Sequence, residues 1–421
     1  MTFKELNLIN PILKAIDYEG YEQPSLIQEQ AIPLLLARRD LLGCAQTGTG
    51  KTAAFAIPIL QMLYRGRTDI APKRTVRALI LTPTRELAAQ VGQSFKGYGR
   101  YSGLKTAVIF GGVGQSAQVS ALRAGVDILV ATPGRLCDLL GQKLIDLSDV
   151  LMFVLDEADR MLDMGFIHDV RKVIASLPKN RQTLLFSATM PKGIDTLAKS
   201  ILRNPVTVTV TPVSSTVDLI EQSVYFVDKI NKSRLLIDLL KIKENAITSA
   251  LVFSRTKHGA DRICKTLNKA GIASGAIHGD KSQGSRQRAL ANFTEGRTRV
   301  LVATDIAARG IDIEKLSHVI NYDLPNEPES YVHRIGRTGR AGLSGIAISF
   351  CDFDEKAYLK DIQKLIGKDI TVMENNKYPM QIFEHRVPQT KPRKPAHGNR
   401  GAKTANKSAN KPSGLRNNRR K

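Results

Sequence analysis

The chain has 421 residues, 42% hydrophobic and 24% charged, as is typical of a globular protein with two or three domains. We expect no membrane span, signal peptide, zinc site or disulfide framework, because the apolar runs are short and the four cysteines are dispersed, and we therefore expect a cytoplasmic location. The net charge is +23, and residues 385–421 carry six Lys, six Arg and no acidic residue. This excess predicts nucleic acid as a partner rather than a membrane, because the basic tail has no amphipathic periodicity.

Helical and strand-like segments alternate along most of the chain. Apolar residues recur at helical spacing across residues 1–40, which predicts two helices before the first strand. Short apolar runs then alternate with helical patterns over residues 41–186 and again over residues 223–350. This order predicts an α/β fold with two tandem, doubly wound parallel-sheet domains.

Changes in composition indicate the domain boundaries. A stretch rich in Thr, Ser and Val at residues 207–218 separates the two series and is interpreted as a final strand followed by a linker. From residue 388 onward the chain has too few apolar residues to fold. We expect an N-terminal domain at residues 1–205, a linker at 206–218, a C-terminal domain at 219–372 and a basic, largely disordered tail at 373–421. The tail would raise affinity for nucleic acid by tethering, without adding specificity.

A glycine-rich turn joins the first strand candidate to a helical pattern. The letters AQTGTGKT begin at Ala45, where the stock phosphate-binding loop has Gly, and they stand in the strand–loop–helix context of such a loop. Gly48 and Gly50 would let backbone amides approach phosphate oxygens without Cβ clashes. Lys51 would reach the phosphates and Thr52 would bind Mg²⁺. The alternative is a turn that binds no ligand.

Two carboxylates follow the strand candidate at residues 151–155, LMFVL. Ligands of parallel sheets lie beyond the carboxyl ends of the strands, so Asp156 and Glu157 emerge where a ligand would lie. Asp156 would bind Mg²⁺, and Glu157 would activate the attacking water. Each could instead be a helix N-cap or a surface charge.

These blocks, in this order, resemble those of a known family. Over about residues 3–350 the chain resembles the DEAD-box ATP-dependent RNA helicases of helicase superfamily 2. The resemblance implies two RecA-like domains, ATP and Mg²⁺ as cofactors, and RNA as the partner. The pattern of residues 3–13, the compact size and the short basic tail look most like the bacterial RhlE-type subgroup.

The resemblance also implies how the nucleotide is held. The letters GYEQPSLIQ, ending at Gln28, are similar to the adenine-reading block, in which Gln28 would pair with the adenine edge. Phe3 would stack on the base, or would instead be a hydrophobic staple of the N-terminal helix. Asp312 would contact the ribose. The nucleotide-binding loop would comprise Ala45, Gln46, Thr47, Gly48, Thr49, Gly50, Lys51 and Thr52.

Two further blocks would couple ATP to domain movement, again by resemblance. Ser187 and Thr189 of the SAT block would link the ATP state to domain closure, although two small hydroxyls could equally cap a helix. HRIGRTGR looks like the arginine-finger block, in which Arg337 and Arg340 face the γ-phosphate and His333 links to the SAT and DEAD elements. Without the family match, this Arg-rich loop would be a solvated or RNA-facing patch.

An RNA surface is implied in both domains. Taken alone, each of its residues is better interpreted as a turn residue or a cap, so the assignment depends on the set. That set comprises Pro83, Thr84, Arg85, Gly111, Gly112, Thr132, Pro133, Gly134 and Arg135 in the first domain, and Arg255, Gln283, Arg286, Thr304 and Gly310 in the second. With no Trp, 13 Phe and 10 Tyr, the chain has few platforms for base stacking, so we expect sequence-independent, salt-sensitive backbone binding.

The expected function is RNA-stimulated ATP hydrolysis coupled to local, non-processive duplex unwinding or to remodelling of RNA–protein complexes. Joint binding of ATP and RNA would close the two domains on a bent strand, which a duplex cannot follow. The alternatives are an ATP-gated RNA clamp or scaffold with little unwinding, a DNA-directed enzyme, and a structural RNA-binding protein. We expect a monomer without membrane association, with ribosomal or RNA-decay proteins as candidate partners.

Overall fold

The computed structural model describes most of the two predicted domains. The described residues are 1–45, 48–66, 74–210, 220–242, 247–308, 311, 313, 316–339 and 345–381. Five predicted site residues lie outside these ranges, namely Gln46, Thr47, Gly310, Asp312 and Arg340. Among the described helices, none combines the length and apolar character that crossing a membrane requires.

Two helices precede the first strand, as the apolar spacing predicts. A short 3-10 helix at Phe3–Leu6 is followed by α1 at Asn10–Tyr18 and α2 at Leu26–Leu36. Ser25 and Gln28 form a capping box at the start of α2, which fixes where that helix begins. The apolar faces of these elements join the core of the first sheet, so this segment belongs to the first domain.

Seven parallel strands form the first sheet. They are β1 Leu41–Ala45, β2 Ala78–Leu81, β3 Thr106–Ile109, β4 Ile128–Ala131, β5 Met152–Leu155, β6 Gln182–Ser187 and β7 Val206–Val210. Their order across the sheet is β3–β4–β2–β5–β6–β1–β7. The helices between them are α3 Lys51–Arg65, α4 Arg85–Tyr98, α5 Ser116–Arg123, α6 Pro133–Gly141, α7 Ala158–Asp163, α8 Ile167–Ala175 and α9 Lys192–Ile201.

Both faces of the first sheet are covered, which explains its continuous apolar strands. Every residue of β2, β4, β5 and β6 is buried. Along β2, Ala78 and Ile80 enter one core, while Leu79 and Leu81 enter the core on the opposite face. A strand of this kind needs apolar residues at every position rather than at alternate ones.

Seven further parallel strands form the second sheet. They are β8 Ile220–Phe226, β9 Ala250–Phe253, β10 Ser274–Ile277, β11 Val300–Ala303, β12 His318–Asn321, β13 Gly345–Cys351 and β14 Thr371–Val372. Their order is β10–β11–β9–β12–β13–β8–β14, which repeats the order of the first sheet strand for strand. The helices are α10 Lys232–Lys241, α11 Lys257–Lys269, α12 Gln283–Thr294, α13 Asp305–Ala308, α14 Pro328–Ile335 and α15 Lys356–Ile366.

The structure corrects two of the boundaries predicted from sequence. Val206–Val210, expected as a final strand but counted with the linker, pairs with β1 as the last strand of the first sheet, so the first domain extends through Val210. Residues 373–381, placed in the disordered tail, are bonded to the second domain. The Met373 amide donates to the Val224 carbonyl at 2.9 Å, and the Gln381 amide donates to the Asp228 carboxylate. The limit at residue 373 is wrong because hydrogen bonds, rather than an apolar run, hold residues 373–381 to the second domain.

Candidate active site

The phosphate-loop candidate lies at the carboxyl end of β1. Gly48 and Gly50 have φ angles of +85° and +93°, which side chains other than glycine rarely adopt. Gly50 precedes α3, so Lys51 and Thr52 are the first residues of that helix. Lys51 is 6% exposed, and its Nζ donates to the Ala45 carbonyl at 2.9 Å. The Lys51 side chain is thus folded back on its own loop, where its charge acts on the carboxylate of Asp156.

The adenine-block candidate is bonded to this loop. Ser25 Oγ donates to the Thr49 carbonyl at 2.8 Å, and Gln28 Nε2 donates to the Gly50 carbonyl at 3.1 Å. Gln28 Oε1 accepts from the Ser25 amide, so both ends of the Gln28 amide have a partner. A Cβ on Gly50 would lie 2.5 Å from Gln28 Nε2, which gives Gly50 a second reason to be glycine. The Phe3 side chain is 5% exposed and packs in the hydrophobic core of the first domain. Its stacking on a base stays a prediction.

Asp156 and Glu157 follow β5 and are buried, each 2% exposed. Among the described residues, Asp156 Oδ1 and Glu157 Oε1 have no hydrogen-bond partner. Burial raises the pKa of Asp156 to about 6, with Lys51 opposing that rise and Glu157 adding to it. Buried carboxylate oxygens without partners are costly unless a cation or a donor completes them. Oxygen ligands of this kind suit Mg²⁺, so these residues fit the predicted metal.

Asp159, the last residue of the DEAD letters, has a different environment. Its Oδ2 accepts from the Thr189 amide at 2.9 Å and from Thr189 Oγ1 at 3.0 Å, and its Oδ1 accepts from the Arg160 amide. The Asp159 amide donates to Ser187 Oγ, which in turn donates to the Thr189 carbonyl. Both of its oxygens are therefore occupied, and Asp159 joins the SAT block to the helix that follows Glu157. Sequence reasoning named Ser187 and Thr189 but missed Asp159.

The arginine-finger candidate lies at the end of α14. Arg337 is 4% exposed, and its Nη1 donates to the Ile311 carbonyl at 2.9 Å. The neighbouring Arg334 has a structural role, because its Nε and Nη2 both bond the Asp305 carboxylate, at 2.6 and 2.7 Å. His333, Arg334 and Arg337 line one small cavity together with Asp305. The second predicted finger, Arg340, lies outside the described residues.

The RNA candidates of the first domain cluster at the same edge of the sheet. Thr84 Oγ1 accepts from the Leu87 amide and thereby caps α4. The Arg85 guanidinium lies so close to Gly112 that a Cβ there would be 2.0 Å from it. Arg135 Nη2 donates to the Val113 carbonyl at 3.0 Å. Of the remaining candidates, Pro83 and Gly111 lie in the adjoining turns, whereas Thr132 is the N-cap residue of α6 and Pro133 and Gly134 are its first two residues.

Two RNA candidates of the second domain bond the first domain instead. Gln283 Nε2 donates to Glu86 Oε1 at 2.8 Å, and Arg286 Nη2 donates to Glu86 Oε2 at 2.9 Å. Glu86 is 3% exposed, so this contact is buried. Sequence reasoning missed Glu86, because a carboxylate within an RNA-facing block gives no local signal of a partner about 200 residues away.

The other RNA candidates of the second domain are held by their own domain. Arg255 Nη2 donates to Glu355 Oε1 at 2.7 Å and to the Leu324 carbonyl at 2.9 Å, and its side chain remains 38% exposed. Thr304 precedes α13, and its carbonyl accepts from the Ala307 and Ala308 amides. In this structure Arg255 is engaged in an ion pair, so an RNA contact would have to use its remaining donors.

Two family models match the chain. The DEAD/DEAH box helicase model matches residues 25–197, and the helicase conserved C-terminal domain model matches residues 231–342. The DEAD-box ATP-dependent RNA helicase CshA of Bacillus subtilis is 44% identical over 364 residues, covering 86% of this chain and 72% of that protein. The relatives carry the CshA name, so the prediction of an RhlE-type subgroup is not supported.

Solved structures are also similar to this chain. S. cerevisiae Dbp5 bound to RNA and ADP BeF3 is 36% identical, with a TM-score of 0.76 over 88% of this chain and 95% of that one. A Dbp5 variant bound to Nup159, a Gle1 variant, IP6 and ADP is 34% identical, with a TM-score of 0.60 over 87% and 95%. Sequence, sheet topology and these likenesses agree that the chain belongs to the DEAD-box ATP-dependent RNA helicases and has their two RecA-like domains.

Proposed function

We propose that the chain hydrolyses ATP at the carboxyl edge of the first sheet and uses the hydrolysis cycle to bind, locally unwind and release RNA. The observation that carries this proposal is the pair of buried oxygens on Asp156 and Glu157 that have no partner in the described part of the chain, where the charge of Lys51 acts on Asp156. A site built only for stability would satisfy those oxygens internally, as it does for Asp159. A metal ion and a water bound beside the phosphate loop would give these two oxygens the partners that they lack among the described residues.

The phosphate loop would hold the nucleotide through backbone amides and Lys51. Lys51 would exchange the Ala45 carbonyl for phosphate oxygens, which are stronger acceptors because they are charged. Thr52 and Asp156 would hold Mg²⁺, which when bound neutralises charge on the phosphates. Gln28 would turn part of its amide from Gly50 to the adenine, so base binding and loop conformation would be linked.

Glu157 would orient the attacking water and accept its proton. Its Oε1 is the oxygen available for this, because Oε2 already accepts from Arg160 at 2.7 Å. Arg337, and by resemblance Arg340, would stabilise the charge on the transferring phosphoryl group from the second domain. Arg337 would have to leave the Ile311 carbonyl, or share it, in order to do so.

Domain closure would bring these two halves together. The bonds from Gln283 and Arg286 to Glu86 give closure a polar contact of its own, and we propose that they hold the domains together while other candidates contact RNA. Turn backbone and hydroxyl groups such as Thr84 and Gly112 would contact the sugar–phosphate chain.

Replacing Glu157 by Gln tests this function. The Glu157→Gln protein should bind ATP and RNA, hydrolyse ATP very slowly and hold RNA in a long-lived complex, while an Asp195→Asn control, exposed in the same domain, should release RNA as the unaltered chain does. Filter binding after ATP addition measures the lifetime of the complex. Fast release by Glu157→Gln would count against the base role.

Matched oligonucleotides separate the alternatives. ATPase stimulation by RNA but not by DNA of the same sequence would support an RNA enzyme, and equal stimulation would favour a DNA-directed one. Separation of a short RNA duplex, measured beside ATPase activity, would distinguish a helicase from a clamp. A cytoplasmic location, a monomeric state and ribosomal or RNA-decay proteins as partners are further parts of this proposal, and they rest on the sequence alone.

A further inference from the structure

Arg160 is a buried cation next to the proposed catalytic carboxylates, and no role assigned so far uses it. Its side chain is 7% exposed and that of Glu157 is 3% exposed, and Arg160 Nη1 donates to Glu157 Oε2 at 2.7 Å. The contact lies three residues along the chain, on the first turn of α7. A buried arginine with one carboxylate partner is a specific arrangement, because an unpaired charge at this depth would be costly.

The backbone of Glu157 makes this contact directional. Glu157 has φ +56° and ψ +52°, a left-handed conformation that is uncommon for a residue with a side chain. With the backbone fixed there, only the side-chain torsions of Glu157 and the hydrogen bond to Oε2 decide where its carboxylate lies. Arg160 takes Oε2, and Oε1 is left without a partner among the described residues. Oε2 is therefore held in place, and Oε1 is available to a ligand or a water.

The charges of the site are also divided between two cations. Asp156 and Glu157 are adjacent buried carboxylates that repel each other, and Lys51 and Arg160 both favour the ionised state of Asp156. Lys51 lies in the loop that would hold phosphates, whereas Arg160 lies behind Glu157 on α7. Arg160 therefore supplies positive charge that need not be given up to a nucleotide.

We propose that Arg160 is a positioning residue for ATP hydrolysis, which holds Glu157 so that Oε1 alone accepts the proton of the attacking water. This inference rests on the proposed function, because it assigns Arg160 a role only through Glu157. It predicts that loss of Arg160 lowers kcat without weakening the binding of ATP or RNA. Misplacement of a catalytic group by about 1 Å typically costs about a hundredfold.

The test compares Arg160→Met and Arg160→Lys in the full chain. Arg160→Met should lower RNA-stimulated kcat by about tenfold to a hundredfold, with KM for ATP and Kd for RNA within about twofold of the unaltered values. Arg160→Lys, which keeps the charge and one donor, should recover most of that loss. Arg77→Met is the matched control, because Arg77 forms a comparable ion pair with Asp127 at the opposite edge of the same sheet, 2.7 Å long. That control should lower thermal stability and leave kcat unchanged.

A double-variant cycle decides whether the effect passes through Glu157. In the Glu157→Gln background, Arg160→Met should cause no further loss of kcat. A full additional loss there, or a normal kcat for Arg160→Met alone, would overturn the inference. If Arg160→Met does not fold, the same cycle is run with Arg160→Lys, whose kcat should fall by a few fold only when Glu157 is present. A Glu157→Gln chain that still turns over ATP normally would instead refute the proposed function.

Discussion

The two sheets of this chain have the same strand order, but an equivalent lysine has different partners in each. Lys51 and Lys232 each begin the helix that follows the corresponding strand, β1 in one sheet and β8 in the other. Lys51 Nζ donates to one neutral carbonyl. The Lys232 side chain is 0% exposed, and its Nζ lies 2.5 Å from Glu355, 3.1 Å from Asp352 and 3.7 Å from Asp323.

This difference shows how one scaffold serves either as a ligand site or as a structural core. Burial alone would lower the pKa of Lys232, but the nearby carboxylates, Glu355 foremost, raise it overall, so Lys232 remains charged. Three carboxylates of the protein thus surround Lys232, where phosphates would surround Lys51. We infer that the second sheet contributes to nucleotide chemistry only through residues that it delivers to the first, such as Arg337.

The loss of Arg337 is expected to have the largest effect on ATP turnover. Arg337→Ala should lower RNA-stimulated ATP turnover by roughly 10³- to 10⁵-fold, the usual value of an arginine finger. Steady-state ATPase at saturating RNA measures it, with Arg297→Ala, an exposed arginine of the same domain, as the control. Turnover of Arg337→Ala within a few fold of the unaltered chain would remove the second sheet from the chemistry.

Replacement of each lysine by Met tests whether Lys51 serves the ligand site and Lys232 serves the stability of the fold. Lys232→Met should cost about 3–5 kcal/mol of unfolding free energy, because it leaves buried carboxylates without their cation. Lys51→Met should abolish ATP turnover with a stability loss below about 1 kcal/mol, since Lys51 bonds a neutral carbonyl and Asp156 can take up a proton. Urea unfolding, followed by hydrogen exchange of α3 and α10, measures both. Equal losses for the two variants would contradict the comparison.

A smaller effect concerns the cost of keeping Asp156 ionised. Its folded-state pKa of about 6 is above the unfolded value, so above pH 6 its charge destabilises the fold by on the order of 1–3 kcal/mol. As pH falls through 6 the folded state takes up the proton first, and the penalty disappears by about pH 4. Without Mg²⁺ and nucleotide, Asp156→Asn should therefore stabilise the chain at pH 7.5 but not at pH 4. A gain of the same size at both values would exclude this cause.

Local patterns predicted the fold and the first half of the site. Strands buried on both faces, such as β2 and β5, appear as unbroken apolar runs, and a Gly-rich turn before Lys51 is readable within eight letters. The contacts that could not be predicted join distant segments. Glu86 and Arg286 lie in different domains, and hydrogen bonds to the Val224 carbonyl and the Asp228 carboxylate, rather than an apolar run, hold residues 373–381.

Arg334 and Arg160 illustrate the same limit at short range. Both arginines adjoin recognisable blocks, but nothing in the letters distinguishes Arg334, which bonds Asp305 as part of the structure, from Arg337 three residues later. Only the burial and partners of each guanidinium separate these roles. The sequence therefore predicts where the candidate site lies, and the structure adds which of its side chains already have partners.

Of the two equivalent lysines, only Lys51 is expected to belong to a nucleotide site, to which the second domain adds residues such as Arg337. Calorimetric titration of the full chain with a non-hydrolysable ATP analogue, Mg²⁺ and single-stranded RNA tests it most directly. We expect one nucleotide bound per chain and none for Lys51→Met. Two nucleotides per chain, or one retained by Lys51→Met at unaltered affinity, would contradict it.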